Sequence, residues 1–532
     1  MRKIVISLAT SLLPFTFIGC EQPTEPTPQD WNETSKYFAS VDEKVSTTYY
    51  KPYAGFIGDP MPFYDPINHD FKVLYLQEYR PNKAGTYHPF WGLQTTDAAN
   101  YTPLGEVLPT GSRYELDAAL GTGSVVYNEA DKLYYIFYTA NPDQPKAGED
   151  VQLVMYATSP DFKTWTKNTL FRLRGVEHAY SRVDFRDPCL WFMEEDGLWH
   201  MLVATKAAGK GGTLAEFTSP DLKTWENKGA FMSMMWDRFY ECPDVFKMGD
   251  WWYLVYSEKH SAIRRVQYFK GRTLDELKAC TANDAGRWPD SHEGFLDSRA
   301  FYAGKTASDG TNRYIWGWCP TREGNDNVKT NSGSEPQWAG SLVAHRLIQH
   351  EDGSLTLGEV DGIKAKYNNN AEIKVMKQSR KNAITINNAV YTFTPNSYAL
   401  FNRLGYHNHI SMTVTTTTAT DKFGISFVRG SDSDKYYTLV VNPEGSTRRK
   451  INFEEEGAKG IGFVDAIDGY MFDTPKDNVY KIDIYTDNSV MVLYINNNVA
   501  YTNRIYGIQR NCWSINSYDG NIMVSDLKIT TY

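Results

Sequence analysis

Cysteine is scarce in this sequence, with six among 532 residues. Setting aside Cys20 near the N-terminus, the remaining five are an odd number, which argues against a full disulfide framework. They form no CxxC pair and no Cys/His cluster, so a structural zinc is not expected. Basic charge is also short, at 55 Lys and Arg against 64 Asp and Glu, for a net charge of −9. A nucleic-acid binder needs a basic footprint, and this chain lacks one. No stretch carries a long 3.6-residue helical period. No apolar run after the N-terminus is long enough to cross a bilayer.

What the N-terminus does hold is an export pattern. Met1-Arg2-Lys3 supplies positive charge, a short, mostly apolar run follows from Ile4 to Ile18, and Gly19-Cys20 closes it. Phe17-Ile18-Gly19-Cys20 resembles a bacterial lipobox. That resemblance implies a signal peptide over 1–20, lipid attachment at Cys20, and an exported lipoprotein on the periplasmic or outer face of the bacterial outer membrane. A plain secretory peptide with a chance cysteine is the alternative. Residues 21–50 open on a Pro-, Thr- and Glu-rich stretch that cannot bury a core, and are expected to form a tether.

Aromatics make up 14% of the chain, which suits both β-structure and carbohydrate binding. A repeat is visible. Ser159-Pro160-Asp161-Phe162-Lys163-Thr164-Trp165 returns 60 residues later as Ser219-Pro220-Asp221-Leu222-Lys223-Thr224-Trp225. Aromatic-rich strand patterns begin at Phe71, Leu133, Leu198, Trp251 and Arg313, spaced by 53 to 65 residues. Each follows a shorter apolar strand across a polar turn, the pattern of a hairpin. Five hairpins at a quasi-regular period predict an all-β fold with a five-bladed β-propeller over 51–364, against the alternative of an ordinary β-sandwich. Residues 365–381 read as a connector. From 382 to 532 period-two alternation, as in Val479-Tyr480-Lys481-Ile482-Asp483-Ile484, predicts a C-terminal β-sandwich.

The informative carboxylates begin the inner strands: Asp59 in Gly58-Asp59-Pro60, Asp187 in Arg186-Asp187-Pro188, and Glu241 in Glu241-Cys242-Pro243-Asp244. In a propeller the inner strands line one channel, so these positions converge. Carboxylates in one funnel repel, and at least one pKa should rise. Arg186 is expected to keep its neighbour Asp187 ionised. Two carboxyls flanking a bond are what glycoside cleavage requires, one ionised and one protonated. Asp65 lies past the strand and is set aside.

These residues, in this order, resemble glycoside hydrolase family 32, the invertases, inulinases and levanases. Gly121-Thr122-Gly123-Ser124, Asp297 to Ala303, Trp316-Gly317-Trp318 and Trp338-Ala339-Gly340 add weaker matches. The resemblance implies Asp59 as nucleophile, Glu241 as general acid/base and Asp187 as transition-state stabiliser, with retention through a fructosyl-enzyme. It implies an oligo- or polysaccharide substrate, no metal or other cofactor, and sugar contacts from Gln77, Trp91, Ser124, Arg186, Tyr302 and Trp338. The family's first motif is usually Asn-Asp-Pro-Asn-Gly; here it is Gly58-Asp59-Pro60-Met61-Pro62, with both amides gone. Two other readings remain open at this level: an arabinan or xylan side-chain hydrolase on a five-bladed propeller, and a catalytically inactive surface glycan-binding lipoprotein.

Overall fold

The computed structural model describes residues 48–52, 55–78, 88–233, 239–258, 265–283, 294–321, 338–428, 436–445, 447–456 and 470–532. The expected signal peptide, Cys20 and almost all of the tether lie outside the described residues. Among those described, no helix is long and apolar enough to cross a membrane.

The chain is all-β. Its first part forms antiparallel groups of four strands, each begun by an inner strand: Phe56–Asp65, Ala119–Asn128, Tyr180–Met193, Tyr240–Met248 and Tyr302–Ser308. Each inner strand touches the next, and the fifth touches the first. The last group and the first share one sheet, joined where Ile57 lies opposite Gly340. Burial follows sequence: the second strands, such as Asp70–Glu78 and Leu133–Asn141, are near-continuous apolar runs because both of their faces are covered.

The heptapeptide repeat is an outer turn. In each copy the Asp accepts backbone N–H bonds from the residues two and three places on, Lys163 and Thr164 in one, Lys223 and Thr224 in the other. The serine hydroxyl donates to the same carboxylate. Phe162 and Leu222 then take φ of 61° and 63° and plug the core. The first group holds a third copy that the sequence hid. In Thr95-Thr96-Asp97-Ala98-Ala99-Asn100-Tyr101, Asp97 accepts from Ala99 and Asn100, and Ala98 has φ 55°. Only the Asp and a closing aromatic survive there.

The C-terminal part is two packed sheets of eight and seven strands around Phe401, Tyr480, Ile484 and Trp513. The stretch 365–381, expected as a connector, is part of it: Asn369–Asn370 and Val375–Gln378 pair with strands of the two sheets. Thr48 and Tyr49, at the end of the expected tether, are likewise held in the body, donating backbone N–H bonds to Asp487. The interface between the two parts is a core in its own right, with Trp316 and Leu342 in one apolar cluster with Val492 and Tyr494. Arg504, 1% exposed, crosses it to the carbonyls of Cys319 and Pro320 and the hydroxyl of Ser341. A buried guanidinium with this many acceptors fixes orientation as well as contact, so the sandwich braces the wall on which the site stands.

Candidate active site

Each inner strand carries one extra residue at the same place. The register shifts fall between Gly58 and Met61, Gly121 and Gly123, Arg186 and Cys189, Glu241 and Asp244, and Tyr302 and Lys305. These are β-bulges, which re-aim side chains. The bulged residues Asp59, Asp187, Cys242 and Ala303 take φ of 33°, 57°, 49° and 55°, a region that residues with a Cβ adopt at a cost. Pro or Gly follows each of them. Glu241 stands at the start of its inner strand, as the sequence suggested, whereas Asp59 and Asp187 lie further within theirs. The first half of a strand carries no clear alternation when a bulge interrupts it.

The bulges also separate the carboxylates into two levels. Asp59, Thr122, Asp187, Cys242 and Ala303 are equivalent. Glu241 stands one residue earlier, level with Gly58, Gly121, Arg186 and Tyr302. Its ring neighbours hold it. Arg186 Nη2 donates to Glu241 Oε1 at 3.0 Å and the Tyr302 hydroxyl donates to Oε2 at 2.7 Å. Arg186 also binds Asp184 and Gln152, and packs over Phe239 at 3.9 Å. Asp59 is held by Thr122, whose hydroxyl donates to Oδ2 at 2.7 Å, and by the Trp318 indole, which donates to Oδ1 at 2.9 Å. Asp187 accepts from the backbone N–H of Cys242 at 2.9 Å.

Burial dominates the electrostatics. It raises the Asp59 carboxyl, against the bonds from Thr122 and Trp318, and Glu241 adds to the rise. It pushes Asp187 up to about 7; Arg186 opposes and Glu241 adds. Arg186 was expected to keep Asp187 ionised. Desolvation outweighs it, since Asp187 is only 4% exposed and the guanidinium is shared with Glu241 and Asp184. Burial also drives the Cys242 thiol well up, so beneath three carboxylates it stays protonated.

The pocket above these groups measures about 340 Å³ and is lined by Asp59, Asp187, Glu241, Arg186, Tyr302 and Trp338, all expected from sequence. It is also lined by His88, Thr122, Thr139, Gln152 and Cys242, which were not singled out. Gln77, Trp91 and Ser124 do not line it. Gln77 packs beneath Gly55, and Trp91 packs against the apolar cluster at the interface between the two parts. Ser124 is one level lower, receiving a bond from Lys305 and donating to the Pro188 carbonyl, part of the channel floor. In Gly121-Thr122-Gly123-Ser124 the bulge makes Thr122 the pocket residue. The spacing from Asp59 to Met61 and from Asp187 to Cys189 repeats from Thr122 to Ser124, and that parallel was legible. Asp65, by contrast, caps the first hairpin turn. Burial would raise it, but bonds from Asn68, Ile67 and Tyr134 hold it below its ordinary value.

Among the described residues one group could hold a metal by geometry: Glu359, His409 and Asp483. It is not part of the pocket lining. Its atoms are already engaged, Glu359 with Tyr485 and Lys364, and His409 with Asp483.

Comparison with known proteins agrees with this architecture. Residues 49–358 match the glycosyl hydrolases family 32 N-terminal domain, and residues 353–529 match the C-terminal domain described as GH32, BT1760-like. The chain is 24% identical over 487 residues to a raffinose invertase of Escherichia coli, covering 86% of this chain and 88% of that one. It is 26% identical over 332 residues to the insoluble β-fructofuranosidase isoenzyme CWINV2 of Arabidopsis thaliana, covering 58% of this chain and 54% of the plant protein. In fold it is similar to sucrose-6-phosphate hydrolase from Lactobacillus gasseri, with TM-score 0.68, 16% identity, and coverage of 93% and 94%. With both domains matched over nearly all the described residues, the chain belongs to glycoside hydrolase family 32.

Proposed function

We propose that this pocket hydrolyses fructosyl linkages, in fructans or fructo-oligosaccharides of levan, inulin or sucrose type, by a retaining double displacement. The observation that carries the reading is the fixed carboxyl set: Asp59 and Asp187 on equivalent bulges, with Glu241 one level away between Arg186 and Tyr302. Asp59 attacks the anomeric carbon while Glu241 protonates the departing oxygen. Glu241 then takes a proton from water, which releases the fructosyl group from Asp59. Asp187 binds sugar hydroxyls and holds them more tightly as charge builds on the ring. Arg186 and Tyr302 fix the carboxyl of Glu241 for both proton transfers. No step calls for a metal or organic cofactor.

The scaffold is a five-bladed propeller. Five inner strands touching in a ring, each with its bulge at the same level, support that count. The protein is an exported lipoprotein of the outer membrane, anchored through Cys20, a reading that rests on the lipobox-like N-terminus. A Cys20→Ser variant is expected to move from the membrane to the soluble fraction. If it stays with the membranes, the anchor lies elsewhere.

The substrate is tested by incubating the purified protein with levan, inulin, sucrose and arabinan and identifying the released sugar. Fructose is the expected product. Arabinose release would replace this reading with the arabinan-side-chain one. Retention on a fructan column with no release from any substrate would make the protein a binder.

A further inference from the structure

The level that carries Glu241 has five positions, and two of them are glycines. Gly121 sits against a close wall, where a Cβ would meet Thr139 Cβ at 3.0 Å. Gly58 is different. A Cβ there would fall 2.3 and 2.4 Å from ring carbons of Trp338. The indole occupies the space that any side chain at 58 would need. Trp338 packs edge-on to Trp318, the residue that donates to Asp59. It also neighbours His88, with ring centroids 4.7 Å apart.

His88 is placed with some effort. Its backbone has φ 54°, which a residue with a Cβ holds only when its surroundings require it. Its Nε2 bonds Glu78 Oε2 at 2.6 Å, and Glu78, buried, ends the strand beside the first inner strand. That bond engages one ring nitrogen. Nδ1 makes no hydrogen bond among the described residues and is left to bond a sugar hydroxyl. Both His88 and Trp338 line the pocket.

We propose that His88, braced by Glu78 and set beside the Trp338 indole that Gly58 admits, is a further sugar-binding residue that completes a wall with the contact already expected of Trp338. His88 takes a hydroxyl, and Trp338 takes the apolar C–H face of the same ring, the division of labour that aromatic and polar groups adopt in sugar sites. This rests on the fructosidase reading and adds the residues that set its affinity. The role assigned to both is in binding.

The wall is tested by calorimetry on the Glu241→Gln background, with sucrose and with levan- and inulin-type trisaccharides as probes, so that turnover does not interfere. His88→Ala is expected to weaken binding about tenfold, the loss of one buried hydrogen bond. His88→Gln, which keeps an acceptor, is expected to return to within about threefold of the parent. In the otherwise wild-type enzyme, His88→Ala should raise KM by the same factor while kcat changes less than about threefold. Gly58→Asn should abolish binding by colliding with the indole, and Gly58→Asn with Trp338→Ala should recover it in part. A purely structural role would instead move kcat and KM together and leave Gln no better than Ala. Binding and KM unchanged in His88→Ala overturn the wall alone. A parent that binds no fructosyl sugar at millimolar concentration overturns the fructosidase reading along with it.

Discussion

Replacing Glu241 by Gln is expected to lower kcat on fructans by about 10²- to 10⁴-fold, the range a positioned general acid and base contributes. The substitution is close to isosteric. The amide oxygen still accepts from Arg186, and the amide nitrogen can donate to the Tyr302 hydroxyl, so the side chain stays in place. What is lost is the proton for the departing oxygen and the base for the incoming water. That distinction gives a second readout. With a fructoside whose aryl leaving group departs without protonation, the first step recovers and the second becomes limiting. Azide needs no base, so it should then accelerate turnover and yield a fructosyl azide of retained configuration. Kinetics and product analysis on the same variant check both halves. A Glu241→Gln enzyme within about tenfold of wild type on natural fructans would remove Glu241 from the acid/base role.

The sequence exposed the carboxylates because each sits in a short motif with Pro after it or after its neighbour. Those prolines mark the bulge, since a residue without an N–H suits a place where ladder pairing breaks. The sequence did not show the one-residue offset of Glu241. A strand argument assumes unbroken alternation, and one bulge in each of the five inner strands breaks it at the same height. Ser124 was preferred over Thr122 for the same reason. His88 was invisible in a stronger sense. It lies outside any strand pattern, and its place in the site depends on Trp338, from a distant part of the chain, as well as on nearby Glu78. The third outer turn at Asp97 was hidden because the turn needs only an Asx carboxylate and a left-handed residue, and the rest of the heptapeptide is free to drift.

Asp187→Asn is expected to move activity and stability in opposite directions. Activity falls because the amide cannot offer the charge that holds sugar hydroxyls as the ring becomes cationic. Interactions of this kind supply several kcal/mol in glycosidases, so a loss of about 10²- to 10⁴-fold in kcat/KM follows. Stability rises because the wild-type carboxylate is ionised in a site that disfavours it. Burial carries Asp187 to about 7 in the folded protein, whereas an unfolded Asp titrates near ~3.9. With the folded value the higher one, the penalty is absent below about pH 4, grows as pH rises toward 7, and is complete above it. At full ionisation it is on the order of 3 to 4 kcal/mol. The neutral Asn does not incur it and can still accept the Cys242 N–H bond. The variant should therefore melt at the same temperature as wild type near pH 4 and several degrees higher at pH 8. Scanning calorimetry at the two pH values checks this. If the variant is less stable at pH 8, the Asp187 charge is repaid by Arg186, and burial is not what governs this carboxylate.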